Sequence, residues 1–194
     1  MIRLCDNHTD WVLGFLDEVW WSRLAQPQLK SWTQDNPLRL LAKEKRKTDT
    51  DPKALCCYGL LRADLQQVWL RFVDGRPVSH VTIVFLKWVC GRLMQQGKKV
   101  LVLVLDNASW HSSQEVRQWI RSPKARVKRD RGVRILRCFL PVKSPWLNPI
   151  EPHWVHGKRA IVEPARTLSA EELIHRVCTY FECDYVEHLK QKVS

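Results

Sequence analysis

Val100-Leu101-Val102-Leu103-Val104-Leu105-Asp106-Asn107 is apolar at six consecutive positions and then ends in an acid. A run this long with no polar alternation is covered on both faces. It therefore predicts a central strand of an α/β sheet flanked by helices. Its end delivers Asp106 to the C-terminal edge of the sheet, where open α/β sheets place their ligand sites. An acid in that position also serves commonly as a turn or helix-cap residue, and the strand alone does not separate the two.

A second stretch ends in another acid: Leu140-Pro141-Val142-Lys143-Ser144-Pro145-Trp146-Leu147-Asn148-Pro149-Ile150-Glu151. Asn148, then Pro149, then Glu151 reads as a helix start with Pro at the first position and a capping-box glutamate. On that reading Glu151 is tied back to the Asn148 amide and is not free for a metal. A ligand role for the same carboxylate stays open beside it.

Working outward, Trp11 to Leu16 reads as a strand ending at Asp17-Glu18. Alternation points Glu18 to the opposite face from Asp17 and leaves it outside a shared site. Residues 22–53 form a loop-rich excursion with Pro27, Pro37, Pro52 and the basic residues Lys43, Lys45, Arg46 and Lys47. Residues 54–61 and 67–73 suit an antiparallel hairpin through Arg62-Ala63-Asp64. Val81, Val84, Phe85, Trp88 and Val89 recur at helical spacing, so a helix is predicted over 78–96, stopped by Gly97. Ser112 or Ser113 caps a helix to about Arg121. Residues 133–140 form a strand, and a helix is expected from about Pro149 to Val162. Ser169-Ala170-Glu171-Glu172 is a capping box opening a last helix with Leu173, Val177, Tyr180 and Phe181 on one face. The order predicts one domain over 1–194, a mixed central sheet with helices on both faces.

The chain has 194 residues, 45% of them apolar, so it folds rather than staying disordered. No apolar run reaches the roughly 18 residues that span a bilayer. The first residues lack the regions of a signal peptide. The expectation is a soluble, intracellular protein with no membrane partner. The net charge of +12 favours a polyanion, most simply nucleic acid. From Arg117 to Arg137 there are nine Lys or Arg against Asp130 alone, and this run is expected to contact phosphates. None of the seven cysteines forms a C-x-x-C pair, and His153 and His156 have no cysteine pair at zinc spacing, so reduced core thiols are expected. Adjacent Cys56 and Cys57 point to opposite faces of their strand. Of the ten tryptophans, Trp88 and Trp119 read as core. Trp146 and Trp154, beside Glu151, read as packing rather than base stacking. Trp20 and Trp21 are unassigned.

Asp106-Asn107-Ala108 with His111, then Leu140-Pro141, Ser144-Pro145, Leu147-Asn148-Pro149-Ile150-Glu151 and Trp154, resembles the catalytic domain of the mariner-like superfamily of DDE transposases, with the bacterial insertion-sequence branch the nearest match. Phe15-Leu16-Asp17-Glu18 resembles the strand that supplies the first acid. The resemblance implies a ribonuclease-H-like α/β fold and a catalytic, metal-binding triad of Asp17, Asp106 and Glu151 holding two Mg²⁺ or Mn²⁺ ions. It implies that Asn107, His111 and Asn148 shape the site. Lys143, Arg126, Lys128, Arg129, Arg131, Lys158 and Arg159 would contact DNA. The implied reaction is cleavage at a transposon end and transfer of the freed 3′-hydroxyl to target DNA, in the cytoplasm of a prokaryote on its nucleoid. Joining two ends would suit a homodimer. Three departures stand out: Val142-Lys143 replaces the usual Pro-Tyr, Val19-Trp20-Trp21 is Trp-rich, and the helix-turn-helix region such transposases carry ahead of this domain is not found. Two other functions follow from the departures: a nuclease of the same fold that only hydrolyses, and an inactive DNA-binding remnant.

Overall fold

The computed structural model describes residues 5, 7–24, 45, 47–122, 132–161 and 166–190. Its centre is a six-stranded mixed sheet in the order β5-β4-β1-β2-β3-β6. The strands are β1 (Trp11–Ser22), β2 (Ala54–Arg62), β3 (Gln67–Asp74), β4 (Val100–Leu105), β5 (Arg134–Phe139) and β6 (Leu189–Lys190). β1, β2 and β3 run antiparallel in turn, whereas β4 pairs parallel with β1 and β5 parallel with β4. The hairpin, the apolar β4 and the late strand β5 stand where the sequence predicts them. β6 is a two-residue addition parallel to β3, too short to leave a periodic signal.

Helix α1 (Ser79–Gln95) covers one face of the sheet. Leu16, Tyr58, Trp69, Leu101 and Leu103 from the strands meet Val81, Phe85, Val89 and Leu93 from α1 in one buried cluster. Gly97, at φ 72°, takes the left-handed conformation that ends the helix. The other face carries α4 (Glu151–Ile161) and α5 (Ala170–Tyr180). There Val19, Trp21, Cys57 and Phe72 pack on Ile150, Trp154, Leu173, Val177 and Phe181. Cys56 and Cys57 fall in different clusters, as alternation requires. The two remaining helices are short: α2 (Ser109–Ser112), which sequence periodicity does not reveal, and α3 (Gln114–Arg121). Ser113 caps α3, its Oγ accepting from the Val116 amide at 3.2 Å, and Ser169 caps α5 from the Glu172 amide at 3.1 Å.

Two boundaries differ from the sequence reading. β1 does not stop at Asp17-Glu18 but continues to Ser22. β2 pairs with it through and beyond the acids, from Gly14↔Arg62 to Ser22↔Ala54. Beyond the acids, Val19 and Trp21 resume the buried alternation. Helix α4 begins at Glu151, not at Pro149. A 3₁₀ turn at Pro145–Leu147 precedes it, and the Asn148 amide donates to the Pro145 carbonyl at 2.8 Å. That amide is therefore already taken, so the capping-box arrangement for Glu151 is not formed. Most of the excursion over 22–53, and Arg126, Lys128, Arg129 and Arg131 of the basic run, lie outside the described residues.

Candidate active site

The site is built at the sheet edge where β4 ends and β1 passes. The parallel register pairs Phe15 with Val104. Asp17 lies two residues beyond Phe15 on β1, and Asp106 directly follows the last residue of β4, so the two acids leave the same edge of the sheet from neighbouring strands. Asp106 follows β4 and folds into a local turn. Its Oδ1 accepts from the Ala108 amide at 3.0 Å and from His111 Nδ1 at 2.7 Å. The hydrogen bond from His111 is the main cause that holds the Asp106 carboxyl below its ordinary pKa. Asn107 ties this edge to the next strand, its Nδ2 donating to the Leu140 carbonyl at 2.7 Å.

His111 is fully buried, and its other nitrogen, Nε2, donates to Glu18 Oε1 at 2.7 Å. Burial opposes charge on this imidazole. The hydrogen bonds to Asp106 and Glu18 and the attraction of both carboxylates outweigh it, raising the pKa to about 9. At neutral pH an imidazolium bridges two carboxylates. The Glu18 side chain is only 7% exposed. It lies on the α1 face, with Tyr58 opposite it on β2, and the Tyr58 ring stands edge-on to His111 at 6.5 Å.

Asp17 points to the other face and meets the opposite conditions. Trp154 Nε1 donates to its Oδ2 at 2.9 Å. Burial, then the charges of Glu18 and Glu151, push its pKa up to about 7. Trp154 reaches this position because residue 59 is glycine. A Cβ there would lie 2.4 Å from a carbon of the indole ring, and Gly59 is the register partner of Asp17. Asn148, 2% exposed, donates from Nδ2 to the Leu16 carbonyl at 3.1 Å. Its buried Oδ1 has no hydrogen-bond partner. Asn148 and Trp154 together hold the start of α4, and so Glu151, against β1.

Among the described residues no three His, Cys, Asp or Glu side chains gather closely enough to hold one ion. Asp106 engages His111, while Asp17 is buried and feels the charges of Glu18 and Glu151. The donor set is nonetheless all carboxylate oxygen, which hard divalent cations take. The repulsion felt by Asp17 is what a bound cation relieves. The residues fit such an ion around the Asp17–Glu151 pair, with Asp106 as the neighbour on the next strand.

A groove of about 280 Å³ runs between Asp106, Asn107 and Ala108 on one side and Leu140, Pro141, Lys143, Ser144 and Pro145 on the other. Lys143 is exposed and sits at φ 58°, a left-handed conformation uncommon for a side chain of its size. Lys158 and Arg159 are exposed on the last turn of α4 and do not line the groove. Arg137 on β5 has its pKa lowered by burial and by the nearby charges of Arg117 and Arg121, so three arginines of the basic run converge. Trp146 corrects the expectation of packing: it is 73% exposed, whereas Trp154 is 2% exposed. Sequence reasoning missed three contributors. Alternation sets Glu18 aside, the motif that contains Trp154 carries no sign of its hydrogen bond to Asp17, and Gly59 carries no motif. The adjacency of two acids in one strand was the available signal for Glu18.

A family model described as DDE superfamily endonuclease matches residues 13–174, which include every acid named above. No curated protein sequence matches the chain. Among solved structures, the fold is similar to that of the Mos1 transposase in its paired-end complex with the left transposon end. The TM-score is 0.59 at 15% identity, over 89% of this chain and 48% of that one. The Mos1 mariner paired-end complex with Mn gives a TM-score of 0.59 at 16% identity, over 88% of this chain and 48% of that one. The Mos1 strand transfer complex gives 0.55 at 15% identity, over 94% and 52%. At these identities the likeness establishes the ribonuclease-H-like fold. The chain spans about half the length of the Mos1 chains it matches.

Proposed function

Given that the chain belongs to the family of DDE superfamily endonucleases, we propose that it is a transposase catalytic domain that cleaves DNA at transposon ends and joins the freed strand to target DNA. Asp17, Asp106 and Glu151 would be the catalytic carboxylates. The observation that carries this reading is the pair of hydrogen bonds that bracket Glu151. Asn148 donates to Leu16 and Trp154 donates to Asp17, so a loop motif distant in sequence is seated on the first acid. A cap or turn role for these acids would not require that contact.

Asp17, Glu151 and the free oxygen of Asp106 would hold Mg²⁺ or Mn²⁺, which supplies Lewis acidity towards a phosphodiester and lowers the pKa of an attacking water. The chain's own contribution is positional. Trp154 fixes the Asp17 carboxylate, Asn148 fixes the loop, and Asn107 closes the edge between β4 and β5. Lys143, beside the groove, and the convergent Arg117, Arg121 and Arg137 would contact phosphates, giving affinity that falls steeply with salt. Lys158, Arg159, Arg126, Lys128, Arg129 and Arg131 belong to the same proposed DNA surface. A homodimer would bring two ends together, and the loop motif favours the insertion-sequence branch.

The test is strand transfer on end-containing DNA with Mn²⁺. Joined strands are expected, and Asp106→Asn should reduce them to background; full activity in that variant sinks the mechanism. Nicks without joining would mean a nuclease that only hydrolyses. A second reading, a non-catalytic DNA-binding remnant, draws on the engagement of Asp106 with His111 in place of a three-carboxylate cluster. It predicts salt-sensitive DNA binding that does not respond to divalent metal.

A further inference from the structure

We propose that Glu18 is a positioning residue that acts through His111 to fix the orientation of Asp106. This rests on the reading of Asp106 as a catalytic carboxylate. Glu18 Oε1, the two ring nitrogens of His111 and Asp106 Oδ1 form one hydrogen-bonded chain, with both links at 2.7 Å. The chain begins on the α1 face of β1 and ends at the groove. An imidazole offers two in-plane hydrogen-bonding directions, and a partner on each fixes both the position and the plane of the ring. The Ala108 amide binds the same oxygen of Asp106 at 3.0 Å. With Oδ1 gripped twice, rotation of the carboxylate is stopped and Oδ2 becomes the oxygen available to a ligand.

The burial of Glu18 argues that this role is specific. At 7% exposure its carboxylate has little water to replace a lost partner. It lies on the face that carries Leu16, Tyr58 and Phe85. Well-packed apolar side chains in place of the whole Glu18–His111 pair would hold the fold about as well, because buried ion pairs add little beyond such packing. A carboxylate there holds the one thing an apolar residue cannot, the Nε2–H of His111. Asp17, the preceding residue, faces the other way, so β1 supplies one acid to the reaction edge directly and one through the histidine.

The test uses the full chain without DNA for Mn²⁺ binding, followed by electron paramagnetic resonance of the free ion, and with end-containing DNA for nicking. Glu18→Ala is expected to raise the half-saturating Mn²⁺ concentration about tenfold and to lower kcat about tenfold with KM for DNA unchanged. Glu18→Gln keeps an oxygen acceptor for Nε2–H and should stay within about threefold of the parent in both. In a His111→Asn background, adding Glu18→Ala should change nothing further. Glu18→Met, of similar bulk but without an acceptor, carries the same expectation if the Ala variant does not fold. Unchanged Mn²⁺ binding in Glu18→Ala, with weakened binding in Asp106→Asn, would overturn the proposal. So would equal damage from Gln and Ala, which would make Glu18 itself a ligand. Intact Mn²⁺ binding and nicking in Asp106→Asn would instead overturn the catalytic reading beneath it.

Discussion

Asp17 and Glu18 are neighbours in one strand, yet the two faces they serve are built on opposite electrostatic principles. On the α1 face, Glu18 and Asp106 share a charged histidine, so each carboxylate has a cation at hydrogen-bond distance. On the α4 face, Asp17 has an indole N–H for support, and burial, then the charges of Glu18 and Glu151, raise its pKa to about 7. The first arrangement is satisfied within the protein. The second holds a net negative charge that only a proton or an added cation relieves. On the proposed reading, the balanced chain would fix the geometry of Asp106, and the unbalanced face would gain most from a bound cation.

Breaking the balanced face should have the largest effect on stability. His111→Ala leaves Glu18 buried with no positive partner, and loss of one member of a buried ion pair costs roughly 3–5 kcal/mol. The expected result is a large drop in the urea midpoint at pH 7. A drop below about 1 kcal/mol would mean that Glu18 is hydrated or protonated, and that the two faces do not differ as described.

The unbalanced face should respond with the opposite sign. The Asp17 pKa of about 7 in the folded chain lies above the ordinary aspartate value of 3.8. The folded state therefore keeps a proton that the unfolded state loses, and stability falls as pH rises between those values. Asp17→Asn, which retains an acceptor for Trp154, should stabilise the metal-free protein by roughly 2–4 kcal/mol at pH 8. The gain should vanish near pH 4, and strand cleavage should be lost. His111 also has a raised pKa, about 9 against 6.5. Its contribution is complete below pH 6.5 and disappears as pH rises through 9. The parent protein should thus lose stability from pH 4 to 9 in two stages, the lower removed by Asp17→Asn and the upper by His111→Asn. Melting temperatures across that range check both.

Much of this arrangement was legible in the sequence, and the rest was hidden for identifiable reasons. Val100 to Asp106 gave the central strand and its acid because an unbroken apolar run has few other homes. The length of β1 was obscured because Asp17-Glu18 resembles a strand end. Only the ladder with β2 reveals that the strand passes through the acids. Alternation placed Glu18 on the correct face but did not reveal that His111, 93 residues away, packs there. The fate of Glu151 turned on the Asn148 amide. The 3₁₀ turn at Pro145–Leu147 takes that amide, a choice that local propensity leaves open. Gly59 was silent because its reason is a tertiary contact with an indole from α4.

Gly59 also offers a way to disturb the Asp17 face alone. Gly59→Ala would place a methyl 2.4 Å from the Trp154 ring, against a buried, rigid group. The indole must shift, at a cost of roughly 1–3 kcal/mol by analogy with overpacked cores. The shift should take Nε1 away from Asp17 and lower nicking activity, while the His111 chain on the other face stays intact. A stable variant with full activity would show that Trp154 does not position Asp17.

The smallest change in stability is expected at Trp146, and its contrast with Trp154 sharpens the comparison further. Both tryptophans flank Glu151, but Trp154 is buried and bonded to Asp17, whereas Trp146 is 73% exposed on the loop that forms the groove with Asp106. Removing an exposed side chain with no buried contacts changes stability by less than about 0.5 kcal/mol. Trp146→Ala should therefore melt with the parent. An exposed indole beside Lys143 has the shape and the charged neighbour to stack on an unpaired base, an interaction that contributes about 1–3 kcal/mol per base in single-strand binders. The variant should bind frayed end DNA roughly 5- to 100-fold more weakly, with little change for a fully paired duplex. Equal binding of both substrates would confine the function of this loop to delivering Glu151, and would leave the α4 face working through its buried tryptophan alone.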